Sequence, residues 1–195
     1  MSPRLGLAAL ALASAVTPAF PEPITLVWVD PAARATFAAE DAMKEAVTLL
    51  GAAGADVRWR HADTPNLLGP DELAVIMVAA PRENARLVMG SAPLTHAAPA
   101  VWVHPEAVGT VIGLDRLCPT DWTASERKGF ARALGRVAAH EVVHALLGSP
   151  RHASIGLMSS SLQRPALLGP ALHVDLWTRR AVGRAVIAPY RWTTR

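Results

Sequence analysis

Residues 140–144 read His140-Glu141-Val142-Val143-His144, two imidazoles one helical turn apart with a carboxylate beside the first. On an α-helix, positions i and i+4 share a face with Cβ atoms about 5–6 Å apart. Both rings therefore reach a single Zn²⁺ at about 2.0–2.1 Å. Glu141 projects beside such an ion without ligating it. That placement suits a general base, which takes a proton from metal-activated water and later returns it to a leaving group. Gly148 is placed to end the helix and let the chain turn. Ser149-Pro150 stiffens the turn, and His152 follows at eight residues from His144. A chain turning back there delivers a third imidazole and leaves a fourth tetrahedral position open, the arrangement of a catalytic rather than a structural zinc. Asp175 and His173 are the second candidates for the third ligand. No glutamate follows Glu141, so a downstream glutamate ligand is excluded.

The run from His140 to His152 resembles the pattern of the metzincin clan of zinc peptidases, H-E-x-x-H-x-x-G-x-x-H followed by a methionine-bearing turn. It departs from that pattern in placing three residues, instead of two, on each side of the glycine. Ala153-Ser154-Ile155-Gly156-Leu157-Met158 supplies the turn. The longer spacer and the immediate Gly-Leu-Met are similar to a group of small bacterial secreted metallopeptidase-like proteins, whose opening strand, helix and strand also look like residues 24–60 here. The resemblance implies that His140, His144 and His152 are zinc ligands, that Glu141 is the general base and that Met158 is the floor of the site. It further implies a metzincin-like endopeptidase acting on peptide or protein substrates. A catalytically silent zinc-binding module of the same fold, or a zinc hydrolase of a non-peptide bond, are the alternatives.

Elements must exist to position these groups. Thr123-Ala124-Ser125-Glu126 is a capping box, predicting a helix from there to about Leu147. Phe130, Leu134, Val137, Val142, Val143, Ala145 and Leu146 cover most of its circumference toward the C-terminal end, so it is a buried helix. Upstream, Ile24–Val29 is a β-branched and aromatic run that fits a buried strand, and Asp30-Pro31 is expected to open a helix. Met43, Ala46, Val47 and Leu50 recur at i, i+3, i+4, i+7, and Gly51 and Gly54 end that helix. Residues 57–60 alternate as a half-buried strand, and residues 73–78 are continuous as a strand buried on both faces. Residues 81–99 read as irregular. Residues 100–103 and 108–114 read as one or two short outer strands, the first serving as an exposed edge for strand addition by a peptide. Residues 171–187 carry apolar positions 172, 176, 182 and 186 and read as a closing helix. The fold class is α/β (α+β): a small mixed sheet with a covering helix, a buried site-bearing helix and a C-terminal helix.

The 195 residues are 51% hydrophobic and 18% charged, enough for one sizeable core, which we assign to residues 20–195 as a single domain. The formal charge of +3 is spread over scattered arginines, which argues against a nucleic-acid groove. One cysteine, Cys118, excludes an internal disulfide and any multi-cysteine zinc site; it is expected to be a buried thiol. Residues 1–19 read as a signal peptide: Arg4, an apolar run from Leu5 to Val16, and cleavage near Ala15 or Ala19. The run is too short to span a membrane, which takes about 20 residues, so export to the periplasm or the exterior without a stable anchor is expected. His61, His96 and His104 have no partner at ligand spacing and are placed on loops or strand ends. Trp59 and Trp102 read as core aromatics. Tyr190, the only tyrosine, is a candidate oxyanion stabiliser that nothing in the sequence places near the metal.

Overall fold

The structure, a computed structural model, describes residues 23–65, 68–80, 88–94, 99–114 and 118–187. Strand β1 (Ile24–Val29) is buried along nearly its whole length because it is flanked on both sides, by β2 (Val57–Ala62) and β3 (Glu72–Met77), in parallel register. β5 (Ala100–Val103) pairs parallel with β3, and β4 (Gly90–Ser91) runs antiparallel along β5. The five-stranded sheet thus has the order β2-β1-β3-β5-β4. This makes β5 an interior strand and β4 the margin, correcting the expectation that residues 100–103 form the exposed edge. The margin escaped sequence reading because two residues of strand carry no period.

One face of the sheet, carrying Leu26, Trp28, Leu73, Val75, Val101 and Val103, packs beneath the helices to form the main core. α1 (Ala39–Ala52) contributes Ala42, Met43, Ala46, Leu49 and Leu50 at helical spacing. Asp30 does not open this helix. Its carboxylate accepts from the amides of Arg34 and Ala35 and from the Thr36 hydroxyl, closing a turn that precedes a single 3-10 turn and then α1.

The residues from Val108 also differ from expectation, forming helix α2 (Pro105–Ile112) rather than a strand. Proline at its first turn lacks only an amide that would be unpaired anyway, Val108 and Ile112 bury one face, and Gly113 ends it in the left-handed conformation. α3 (Ala124–Leu147) starts at the capping box, with the Thr123 hydroxyl accepting from the Glu126 amide and the Glu126 carboxylate accepting from the Thr123 amide. It packs most closely on α1 at Gly135, where a Cβ would fall on the Ala42 carbonyl oxygen. Beside that crossing the Arg136 guanidinium is buried, donating to Glu45 at 2.7 Å and to the Ala166 carbonyl at 2.5 Å.

Two short helices close the domain. α4 (Arg164–Leu168) was not foreseen, and α5 (Leu176–Ile187) starts later than residue 171 because Asp175 caps it. Val182 of α5 is buried, whereas Leu176, expected in the core, is 60% exposed. Cys118 is exposed rather than buried, lying in the turn ahead of α3. Trp59 and Trp102 are half-buried, and Trp59 packs on the core from its edge strand. His61 is exposed on β2, while His104 is buried at the start of α2. His96, Tyr190 and the expected signal segment lie outside the described residues. Among the described residues no helix is long and apolar enough to cross a membrane.

Candidate metal centre

α3 is buried on every side over its last four turns, and His140, Glu141 and His144 sit in that stretch at 7%, 8% and 6% exposure. Polar groups in such surroundings need partners. His140 finds one outside its helix: its Nδ1–H donates to the Leu157 carbonyl at 2.7 Å. His144 finds one in the turn after its helix, donating from Nδ1 to the Ser149 carbonyl at 2.7 Å. Gly148 makes the second contact possible. Its left-handed backbone ends α3 after Leu147 and reverses the chain, so that Ser149 lies under the His144 ring. One extra residue before the glycine is therefore absorbed as helix.

The same reversal brings His152 back. Its Nε2 stands 3.2 Å from Nε2 of His144, which is 3.0 Å from Nε2 of His140. These three are the described His, Cys, Asp or Glu side chains whose ligand atoms cluster tightly enough to share one ion. Their chemistry fits a cation. A carbonyl only accepts, so His140 and His144 must each carry their proton on Nδ1 and present a bare lone pair at Nε2. Two lone pairs facing each other across 3.0 Å repel unless a positive centre lies between them. A tetrahedral Zn²⁺ with nitrogens at about 2.0–2.1 Å spaces them about 3.3 Å apart, close to the separations observed. Burial holds His140 down to about 4 and lowers His144 as well, so both rings stay neutral and free to ligate.

Neither alternative third ligand joins the cluster of ligand atoms formed by His140, His144 and His152. Asp175 accepts from the Thr178 amide at 3.0 Å and from its hydroxyl, capping α5. His173 offers its backbone carbonyl to the Leu157 amide at 2.8 Å. That bond organises the turn bearing Met158. Gly156 adopts φ +83°, the Ala153 amide donates to the Met158 carbonyl at 2.7 Å, and Met158 itself is fully buried. Since Leu157 in this turn also accepts from His140, the turn orients the first imidazole directly.

Glu141 points into the cleft with the histidines. It accepts no hydrogen bond among the described residues, and burial pushes its carboxyl up to about 7. A cavity of about 360 Å³ opens over these groups. One wall is the margin strand and its flanks, Val88 to Ala92 and Leu94, and the other includes Val137, Pro150, Ser159, Ser160 and Leu162. The margin strand is the part of the site that sequence reading missed. Its sole signal was Gly90-Ser91, small residues in a stretch that otherwise lacks pattern.

No protein-family model matches the chain, and no curated protein matches it. A crystal structure of archaemetzincin from Methanopyrus kandleri is similar in fold, with a TM-score of 0.55 at 13% identity over 84% of this chain and 96% of that one. The chain therefore has a mixed α/β, metzincin-like fold.

Proposed function

We propose that the chain is a zinc-dependent endopeptidase in which His140, His144 and His152 hold the ion and Glu141 is the general base. The observation that carries this reading is the convergence of three imidazole Nε2 atoms, two of them committed to the unprotonated state, beside a buried carboxylate at the foot of an open cleft. The likeness to archaemetzincin supports it at the level of the fold, and the Gly-Leu-Met turn shared with small bacterial metallopeptidase-like proteins is part of the same reading. Zinc held there would polarise a scissile carbonyl and acidify a water molecule.

The chain's own groups do the rest. Glu141, poised near neutrality by burial, takes the proton from water and delivers it to the leaving amine. β4, the exposed sheet margin along the cleft, pairs with an extended peptide by main-chain hydrogen bonds. Leu157 and Ser149 keep the ligand rings in register. Residues 1–19, read as a signal peptide, direct the chain for export.

The experiment is metal analysis and peptide-library hydrolysis on three proteins. Wild type is expected to bind one zinc and cleave, Glu141→Gln to bind zinc and lose cleavage by about 100-fold or more, and His140→Ala to lose both. Stoichiometric zinc in a wild type that cleaves no peptide would replace this reading with a silent zinc-binding module. Cleavage of RNA instead would point to a phosphodiester hydrolase.

A further inference from the structure

Strand β4 reaches the cleft at Gly90, and a Cβ built there would lie 2.7 Å from Cγ of Glu141, 2.9 Å from its Oε1 and 3.0 Å from the Trp102 carbonyl oxygen. A glycine inside a strand costs entropy and packs nothing, and it commonly marks a place where something must approach the backbone closely. Here the approaching group is the carboxylate. The Trp102 oxygen is backbone and cannot yield, so a side chain at position 90 would push on the Glu141 carboxylate, which borders the open cavity. Glu141 is 8% exposed on a helix buried on all sides, and the Trp102 oxygen belongs to the backbone of β5, whose register against β4 pairs Trp102 with Ser91. Among the described residues no hydrogen-bond donor orients the Glu141 carboxylate, so within them it is packing that sets where its oxygens lie.

We infer that Gly90 is a positioning residue for Glu141: the missing side chain leaves the gap that the carboxylate fills, and the strand backbone is the wall that aims it along the cleft. The catalytic consequence rests on the peptidase reading of the site. The steric relationship does not. A plain structural role for Gly90, needed only so that β4 can dock on the Trp102 carbonyl, makes a different prediction, because such a role is indifferent to what stands at position 141.

The test is a double-mutant cycle on the zinc-loaded full chain, using Gly90→Ala, Glu141→Ala and the two combined, followed by thermal midpoint, zinc content, kcat and KM. Gly90→Ala is expected to lower the midpoint in the Glu141 background and to do so much less in the Glu141→Ala background. Zinc is expected to stay at one per chain throughout. Hydrolysis by Gly90→Ala should fall through kcat, by up to about 100-fold for a misplacement near 1 Å, with KM little changed. A single variant that fails to fold beside a double variant that folds is the same coupling in stronger form. An equal loss of midpoint in both backgrounds, or wild-type hydrolysis by Gly90→Ala, overturns the inference. A wild type that binds zinc but cleaves nothing removes the peptidase reading, and the thermal cycle then still decides whether Gly90 holds Glu141.

Discussion

The imidazole of His140 and the backbone of Leu157 are joined by a 2.7 Å hydrogen bond, although 17 residues separate them in the chain. Through it the methionine-bearing turn aims the first ring at the other two. Groups that orient a ligand in this way change metal affinity by about 10–100-fold when lost.

The turn depends on Gly156, which adopts φ +83° and whose Cβ, were there one, would strike the His173 carbonyl. Gly156→Ala is therefore expected to shift the Leu157 carbonyl and weaken zinc binding by about 10–100-fold. Competition against a chromophoric chelator measures it. Unchanged affinity in a folded Gly156→Ala chain would show that the turn does not orient His140.

Asp175 and His152 separate cleanly by experiment. His152→Ala is expected to lose tight zinc binding, and Asp175→Ala to keep it while losing about 1 kcal/mol of stability as an unfilled helix cap. The stability difference should also depend on pH. Burial raises the Asp175 carboxyl, but hydrogen bonds from Thr178 and nearby backbone amides outweigh it, and the net position lies below the ordinary 3.8. A carboxylate depressed in the folded state contributes stability above its unfolded value and loses it as pH falls through the folded one. Denaturant curves of wild type and Asp175→Ala should thus differ by a constant amount above about pH 5 and converge in stronger acid. Full zinc in His152→Ala would remove it from the ligand set.

The buried Arg136 is 1% exposed along its side chain and Glu45, its partner, is 25% exposed. Removing the acid strands a charge in the core, so Glu45→Ala is expected to cost about 3 kcal/mol in urea unfolding. Arg136→Met should cost less, since it removes the buried charge and leaves Glu45 able to reach water. Glu45→Ala within 0.5 kcal/mol of wild type, roughly the range of ordinary surface changes, would contradict that role for the pair.

What was legible in the residues followed from local rules that tertiary packing happened to respect. The capping box at Thr123, the glycine at 148 and the spacing of His140, His144 and His152 together specify a helix with a sharp reversal, and the chain adopts both. β1, β2 and β3 declared themselves by composition. α2 did not, because Val108, Val111 and Ile112 suit a strand as readily as a helix, and Pro105 and Gly113 decide the matter only when read as its two ends. β4 was illegible for a simpler reason: its strand character comes entirely from pairing with β5, a long-range fact. Cys118 and Leu176 misled because side-chain type is a weak guide to burial in turns and helix starts.

The sheet ends differently at its two sides. At the outer side of β2, six residues long, exposed Arg58 and His61 interrupt any apolar approach and discourage a second molecule from zipping on. At β4 the defence is brevity, since two residues offer too few donors and acceptors to nucleate self-association. If an extended peptide pairs with β4 as proposed, two residues of strand supply only part of its grip and the groove floor must supply the rest, so recognition would fall beside His140, Glu141 and His144.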